Sequence, residues 1–132
     1  MSGEKNLAIL IKEMKPFVNM GEYVFVSVKD SSTIPNKDII GQFKEAEGIT
    51  LIIEKTAADN LGLSYDFIAS WITLKIHSAL DAVGLTAAFS SELAKHNISC
   101  NVVAGYYHDH IFVDKKDEAK TIDVLTNLSK SI

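Results

Sequence analysis

The 132-residue chain contains no arginine: all 13 of its cationic residues are lysines, and its net charge is −4. Arginine is the residue that usually grips phosphates and guanine edges with two parallel hydrogen bonds. Because the chain lacks it and is acidic overall, we expect no nucleic-acid partner. A bound carboxylate would have to be held by backbone N–H groups or by a lysine.

Cysteine is almost absent too, since Cys100 is the only one. A single cysteine excludes an internal disulfide and a zinc finger. Cys100 shares a two-residue period with Ile98, Val102 and Ala104, which predicts a small buried side chain in a strand rather than a reactive thiol.

Long apolar runs are missing as well. No run approaches the roughly 20 residues that span a bilayer. The first 15 residues also lack the apolar core and cleavage site of a signal peptide. We therefore expect a cytoplasmic protein without a membrane partner.

The sequence contains none of the common catalytic motifs. It has no P-loop, no GxGxxG and no HExxH. Ser78, Ser90 and Ser91 carry no nucleophile signature, and nothing in the sequence pairs Asp59 with Asp66. We expect a protein that is not an enzyme and that needs no cofactor.

What the sequence does contain is a series of short apolar patterns. Helical spacing predicts helices near residues 7–14, 85–93 and 116–128. The last helix is predicted to bury Ala119, Ile122, Leu125 and Leu128. Apolar runs and alternation predict strands at residues 22–28, 49–54, 67–77, 98–104 and 111–114.

Three other segments are less regular. Residues 29–37 are polar and predict a loop, and residues 38–47 fit either a helical turn or a strand. Thr56 is a candidate cap for a short helix that Gly62 would end.

The element order predicts two halves, residues 1–62 and 63–132, that pack as one body. The second half is one strand short of a β-α-β-β-α-β unit. The first half follows a leading helix and reads as a degenerate version of the same unit. Each half could supply the missing edge strand of the other, so the predicted fold is α+β, with antiparallel sheets and helices on one face.

Three separated segments resemble a known family. They are EAEGITLIIE (residues 45–54), the stretch from Leu61 to Phe89 that contains DAVGLTAA, and SCNVVAGYYHDHIFV (residues 99–113). Over about residues 22–128, the chain resembles small bacterial proteins with two tandem ACT-like domains. The resemblance implies two ferredoxin-like units, the first of them irregular.

The resemblance also implies a function. ACT domains are regulatory sensors of amino acids and other small molecules, and they hold the ligand at the seam between two such domains. We therefore expect non-catalytic binding of a small molecule, with an amino acid favoured. Edge-to-edge pairing of sheets favours a homodimer, and the response would pass through self-association or an unidentified partner enzyme.

The turn that ends at Gly84 is the first candidate site. Gly84 lets the backbone approach a ligand closely, and the N–H groups of Leu85, Thr86 and Ala87 are unsatisfied by the helix that follows. Asp81 could pair with an ammonium group. On the residues alone, a local role is equally open, in which Asp81 caps the helix and Gly84 only turns the chain; the resemblance favours the binding site.

The hairpin adds further candidates. Asn101 is unexpected in an apolar strand and either bonds to neighbouring backbone or lines a pocket. Some ACT relatives contact the ligand's polar side chain just before the last strand, so Asp109 is the predicted counter-charge for a basic ligand. The predicted ligand-binding set is Asp81, Val83, Gly84, Leu85, Thr86, Ser99, Asn101 and Asp109.

Histidines offer an alternative function. His108 and His110 share a strand face, and His77 is another candidate, so a small enzyme or a metal-binding protein could use His77, His108, Asp109 and His110. Two imidazoles make only half a zinc site, and Asp109 would point to the opposite face. We therefore expect no metal.

Overall fold

A computed structural model describes Gly3 and residues 6–131. It contains two compact units. We call Met20–Ala69 the continuous unit, and Met1–Asn19 together with Ser70–Ile132 the composite unit. The first helix therefore groups with the second half of the chain, whereas the sequence analysis groups it with the first.

The helices and strands follow a simple order along the chain. They are α1 (Leu7–Glu13), β1 (Lys15–Val28), β2 (Ile39–Lys44), β3 (Ile49–Glu54), α2 (Lys55–Asn60), β4 (Ile68–Lys75), α3 (Leu85–Lys95), β5 (Asn101–Ala104), β6 (Asp109–Asp114) and α4 (Glu118–Lys130). Short 3₁₀ helices lie at Ser31–Thr33, Asn36–Asp38 and Lys115–Asp117. None of the described helices has the length and apolar character that crossing a membrane requires.

The sheet of the composite unit has the strand order β1-β4-β6-β5. Its missing strand is supplied by the first part of β1, as the sequence analysis expects for the second half. The strand β4 lies between β1 and β6, which fits its apolar character on both faces. The helices α1, α3 and α4 pack on one face of this sheet around a core that includes Leu10, Ile72 and Phe89.

The continuous unit pairs β2 with β3 and β3 with the second part of β1, both antiparallel. Its core includes Val24, Leu51 and Ile53. Where a ferredoxin-like unit has its first helix, this unit has only two 3₁₀ helices, and its other helix, α2, has six residues. The predictions of an α+β fold and of a degenerate first unit are confirmed.

Three predicted boundaries are wrong. The strand β1 begins at Lys15 rather than Glu22, and Pro16 is accommodated as its second residue. Residues 38–47, for which a helical turn and a strand were both open, contain the strand β2. The helix α2 is capped at Glu54, not Thr56. The strand predicted from Ile98 begins only at Asn101. Asn97 has a φ of 60°, and the Ile98 N–H donates a hydrogen bond to Leu93 C=O, so the chain is still closing the end of α3 at this point.

The predicted buried face of α4 is also partly wrong. Ala119 is exposed, and the buried residues are Thr121, Val124 and Leu125. The Asp114 side chain accepts a hydrogen bond from the Lys116 N–H at 3.0 Å and stabilises the 3₁₀ turn that precedes α4. The helix begins two residues later than predicted, and Ile122 and Leu128 of the predicted face still pack, partly buried, against the core.

Candidate functional site

A cavity of about 130 Å³ lies within the composite unit, beside the start of α3. Four of the predicted ligand-binding residues line it: Gly84, Leu85, Thr86 and Asp109. They come from two places in the sequence, the N-cap with the first two residues of α3 and the first residue of β6. The fold therefore brings the backbone of a helix start and a carboxylate to the same small space.

The start of α3 supplies hydrogen-bond donors. The Ala88 N–H donates to Gly84 C=O at 2.9 Å and closes the first helical turn. The N–H groups of Leu85, Thr86 and Ala87 come before that bond and have no carbonyl one turn back to bind. Together with the helix dipole, they make this end of α3 favourable for an anion.

Asp109 supplies the opposite charge. Only 9% of its surface is exposed, and its carboxylate accepts no hydrogen bond from the residues that the structure describes. Burial raises the pKa of Asp109 above its ordinary value, and the neighbouring His110 and His108 oppose that rise. Because burial disfavours the charge on this carboxylate, a cation entering the cavity beside it would relieve part of that cost.

The other four predicted residues do not line the cavity. Asp81 is exposed, and 83% of the Val83 surface is exposed. Ser99 and Asn101 are exposed, and the Asn101 amide donates to Phe112 C=O at 3.2 Å. For Asn101, the geometry matches the local alternative of a bond to neighbouring backbone.

The local alternative for the turn fails in one respect. Gly84, not Asp81, is the N-cap of α3, and glycine has no side chain with which to cap the helix. The cap conformation has a φ of +100°, which glycine adopts readily and other residues do not. The helix start is therefore set by glycine backbone freedom.

Five residues outside the predicted ligand-binding set also line the cavity: Ser78, Ala79, Leu80, Ala82 and Ala104. The first four belong to the turn from Ser78 to Gly84, which the sequence already indicated as a candidate site. Ala104 pairs directly with Asp109 across the β5–β6 hairpin, and its small side chain leaves room beside the carboxylate. The position of Ala104 beside Asp109 depends on the register of the two strands, and the sequence of the connecting loop does not determine that register. Ala79 and Ala82 form a tight turn, in which the Ala82 N–H donates to Ala79 C=O at 2.9 Å.

The histidines do not assemble into a metal site. His77 packs against the rings of Tyr106 and Tyr107. His110 is on the face opposite Asp109, where its Nδ1 lies 3.0 Å from Trp71 Nε1. Across Gly3 and residues 6–131, no group of three or more His, Cys, Asp or Glu residues could hold a metal ion. The metal-binding alternative is not favoured.

Trp71 and His110 instead tie β4 to β6. The Trp71 Nε1–H donates to His110 Nδ1, which also lies 3.1 Å from Thr73 Oγ1. Burial lowers the pKa of His110 and favours the neutral ring that this hydrogen bond requires. Asp109 directly precedes His110 in β6, so this contact holds in place the strand that carries Asp109.

Cys100 lies just before β5 rather than within a strand, so the prediction of a fully buried strand residue is wrong in that respect. Its side chain packs partly buried against the core of the composite unit. Burial raises the pKa of its thiol to about 11. The thiol is therefore neutral at physiological pH and a poor nucleophile.

Replacing Gly84 with valine is expected to lower the free energy of unfolding by about 1–2 kcal/mol, because a β-branched residue is strained at positive φ. An added Cβ would also lie 3.0 Å from Leu7 Cδ2. Denaturant unfolding measures the loss. Gly62→Val, at a φ of +67° with nothing within 4 Å of the added Cβ, has the backbone strain without the contact and is expected to lose less stability than Gly84→Val. A Gly84 variant as stable as the wild type would contradict the left-handed cap.

Family models match both parts of the chain. Residues 2–70 match a model described as an ACT domain, and residues 67–127 match a second model with the same description. Among curated proteins, a search found no match.

Solved structures resemble the whole chain. A Vibrio cholerae protein of unknown function, described as a possible transport protein, is 43% identical, with a TM-score of 0.84 over 95% of this chain and 97% of that one. An Agrobacterium tumefaciens protein is 21% identical, with a TM-score of 0.72 over 89% of this chain and 90% of that one.

A third neighbour is the ligand-free regulatory subunit of aspartate kinase from Thermus thermophilus. It is 7% identical, with a TM-score of 0.59 over 89% of this chain and 99% of that one. At such low identity the likeness concerns the fold alone. The two family matches together cover nearly the whole sequence, and the chain belongs to the ACT domain family.

Proposed function

We propose that this protein is a non-catalytic regulatory protein that binds a small amino acid in the cavity of the composite unit. Membership of the ACT family supports a ligand-binding regulatory role. The observation that carries the amino-acid proposal is Asp109, a nearly buried carboxylate without a hydrogen-bond donor among the described residues, which lines the same cavity as the first residues of α3.

The two ends of an amino acid match these two features. In the proposed complex, the ligand carboxylate accepts hydrogen bonds from the N–H groups of Leu85 and Thr86, which need no arginine. The ligand ammonium pairs with Asp109 and replaces the water that its carboxylate loses on burial. A carboxylate or an amine alone would satisfy only one side of the cavity.

The cavity volume limits the ligand. About 130 Å³ is smaller than the roughly 300–1,000 Å³ of pockets for drug-sized molecules. This size favours an amino acid with a short side chain. The proposal includes a homodimer, since the binding energy of so small a ligand must be coupled to assembly or to a partner enzyme to have a regulatory effect.

Thermal unfolding with a panel of amino acids tests the proposal. A ligand at about 100 times its dissociation constant is expected to add roughly 2.7 kcal/mol of stability. For a chain of this length that corresponds to a rise in Tm of roughly 8–15 °C. The matched controls are propionate and ethylamine, which carry only the carboxylate or only the amine of alanine.

Zinc with and without a chelator completes the panel. A rise in Tm with zinc alone, reversed by the chelator, would favour the histidine alternative. If no amino acid raises Tm, the amino-acid proposal is wrong.

A further inference from the structure

A larger cavity, of about 370 Å³, lies within the continuous unit. Its walls come from the 3₁₀ helix Asn36–Asp38 with the start of β2, and from the end of β3 with α2. Its volume falls within the range of about 300–1,000 Å³ that is common for small-molecule pockets. No site was predicted here from the sequence, and the family matches assign none.

The cavity exists because the helical layer of this unit is short. In the composite unit the two helices of that layer, α3 and α4, have 11 and 13 residues. There the Lys120 side chain bridges them by donating to His96 C=O at 2.6 Å. In the continuous unit the corresponding elements are a three-residue 3₁₀ helix and the six-residue α2, which are too short to close the same space.

Local contacts hold α2 in one orientation. Gly62, with a φ of +67°, lets the chain turn back, and the Leu63 N–H donates to Ala58 C=O at 2.9 Å. Asp59 bonds both Lys55 Nζ at 3.0 Å and Tyr65 Oη at 2.7 Å. With Lys55 and Asp59 engaged, the side of α2 that carries Thr56 and Asn60 is left to line the cavity.

The cavity carries charges of both signs. Lys37 contributes one positive charge, and Asp38 and Glu54 contribute two negative charges. In the described part of the chain, none of these three side chains forms an ion pair with another residue. The lining therefore has a net charge of −1 and complements a ligand with one anionic and two cationic groups.

We propose that this cavity binds a basic amino acid. Lys37 holds its α-carboxylate, and Asp38 and Glu54 hold its two amino groups. Ile40 and Leu61 contact the aliphatic chain between those groups. This site is separate from the one proposed in the composite unit and stands or falls independently of it.

Residue-resolved NMR titration with L-lysine tests the site. Lysine is expected to shift the backbone amide signals of Ile40, Ala57 and Asn60. Norleucine, which has the same chain without the terminal amine, is expected to bind at least fivefold more weakly, and glutamate is expected not to shift these signals. No shift at these three amides with lysine would overturn the proposal, as would equal binding of lysine and norleucine.

A pair of variants tests whether the Glu54 carboxylate contributes to lysine binding. Glu54 is exposed and makes no capping hydrogen bond to α2, so Glu54→Gln leaves the fold intact. It is expected to weaken lysine binding about fivefold. The matched control Glu47→Gln changes an equally exposed carboxylate outside the cavity and is expected to bind as the wild type does. Equal affinity of both variants for lysine would overturn the role of Glu54 and with it the preference for a second cation.

Discussion

Replacing Asp109 with asparagine is expected to weaken amino-acid binding by about 30-fold or more and, at the same time, to stabilise the ligand-free protein by about 1 kcal/mol. The first effect follows because the ligand ammonium would lose the charge that pairs with it. The second follows because Asp109 is 9% exposed and lacks a donor among the described residues, so the folded protein is better without that charge.

This pair of opposite effects distinguishes a binding residue from a structural one. If the Asp109 carboxylate stabilised the fold, neutralising it would lower the free energy of unfolding. Calorimetric titration with the amino acid that gives the largest rise in Tm measures the affinity, and denaturant unfolding of the ligand-free protein measures the stability. Asp123→Asn, an exposed position on α4, is the matched control and is expected to change neither quantity. An Asp109 variant that keeps wild-type affinity would remove this residue from the site.

The Asp109 carboxylate also determines how stability and ligand affinity are expected to change with pH. Burial raises the pKa of Asp109 in the folded state above its unfolded value. The charge on Asp109 therefore costs stability at neutral pH, and that cost disappears as pH falls through the raised pKa. Because binding requires the ionised form, affinity is expected to fall over the same pH range. The Asn variant is expected to lack this component of both pH profiles.

Replacing Phe89 with alanine is expected to lower the free energy of unfolding by about 3–5 kcal/mol. Phe89 is fully buried in α3 and belongs to the core of the composite unit, together with Ile72 and Ile111 of the sheet. Removing the ring leaves a cavity that the surrounding strands cannot fill. The loss is large relative to the roughly 5–15 kcal/mol that stabilises most domains.

Phe89 matters for function because it anchors the helix whose first turn forms the site. Denaturant unfolding measures the effect, and Ser91→Ala, at an exposed position of the same helix, is expected to change stability by no more than about 0.5 kcal/mol. Phe89→Leu is expected to lose less than half as much as Phe89→Ala, since it retains most of the buried volume. A loss below about 1 kcal/mol for Phe89→Ala would contradict this packing of α3.

Periodicity determined the elements that could be predicted from the sequence. The stripe of Leu85, Phe89 and Leu93 correctly predicted α3 and its buried side. Gly84, which precedes this stripe, correctly predicted where the helix starts. The start of β1 was missed because Lys15, Asn19 and Gly21 break the apolar alternation on which strand prediction depends.

The site could be predicted only in part, for a related reason. Gly84 and the N–H groups after it follow from local sequence, since a helix start leaves those groups unbonded wherever it occurs. Ala104 enters the cavity only through its pairing with Asp109, and strand register depends on the hairpin as a whole. The cavity of the continuous unit is still less accessible to sequence, because it results from helices too short to cover the sheet.

The most direct measurement is a crystal structure of the protein grown with the amino acid that raises Tm most. We expect ligand density in the composite-unit cavity, with the carboxylate within hydrogen-bonding distance of the Leu85 and Thr86 N–H groups and the ammonium against Asp109. Density with the amine towards α3, or an empty cavity with the ligand bound elsewhere, would contradict this expectation.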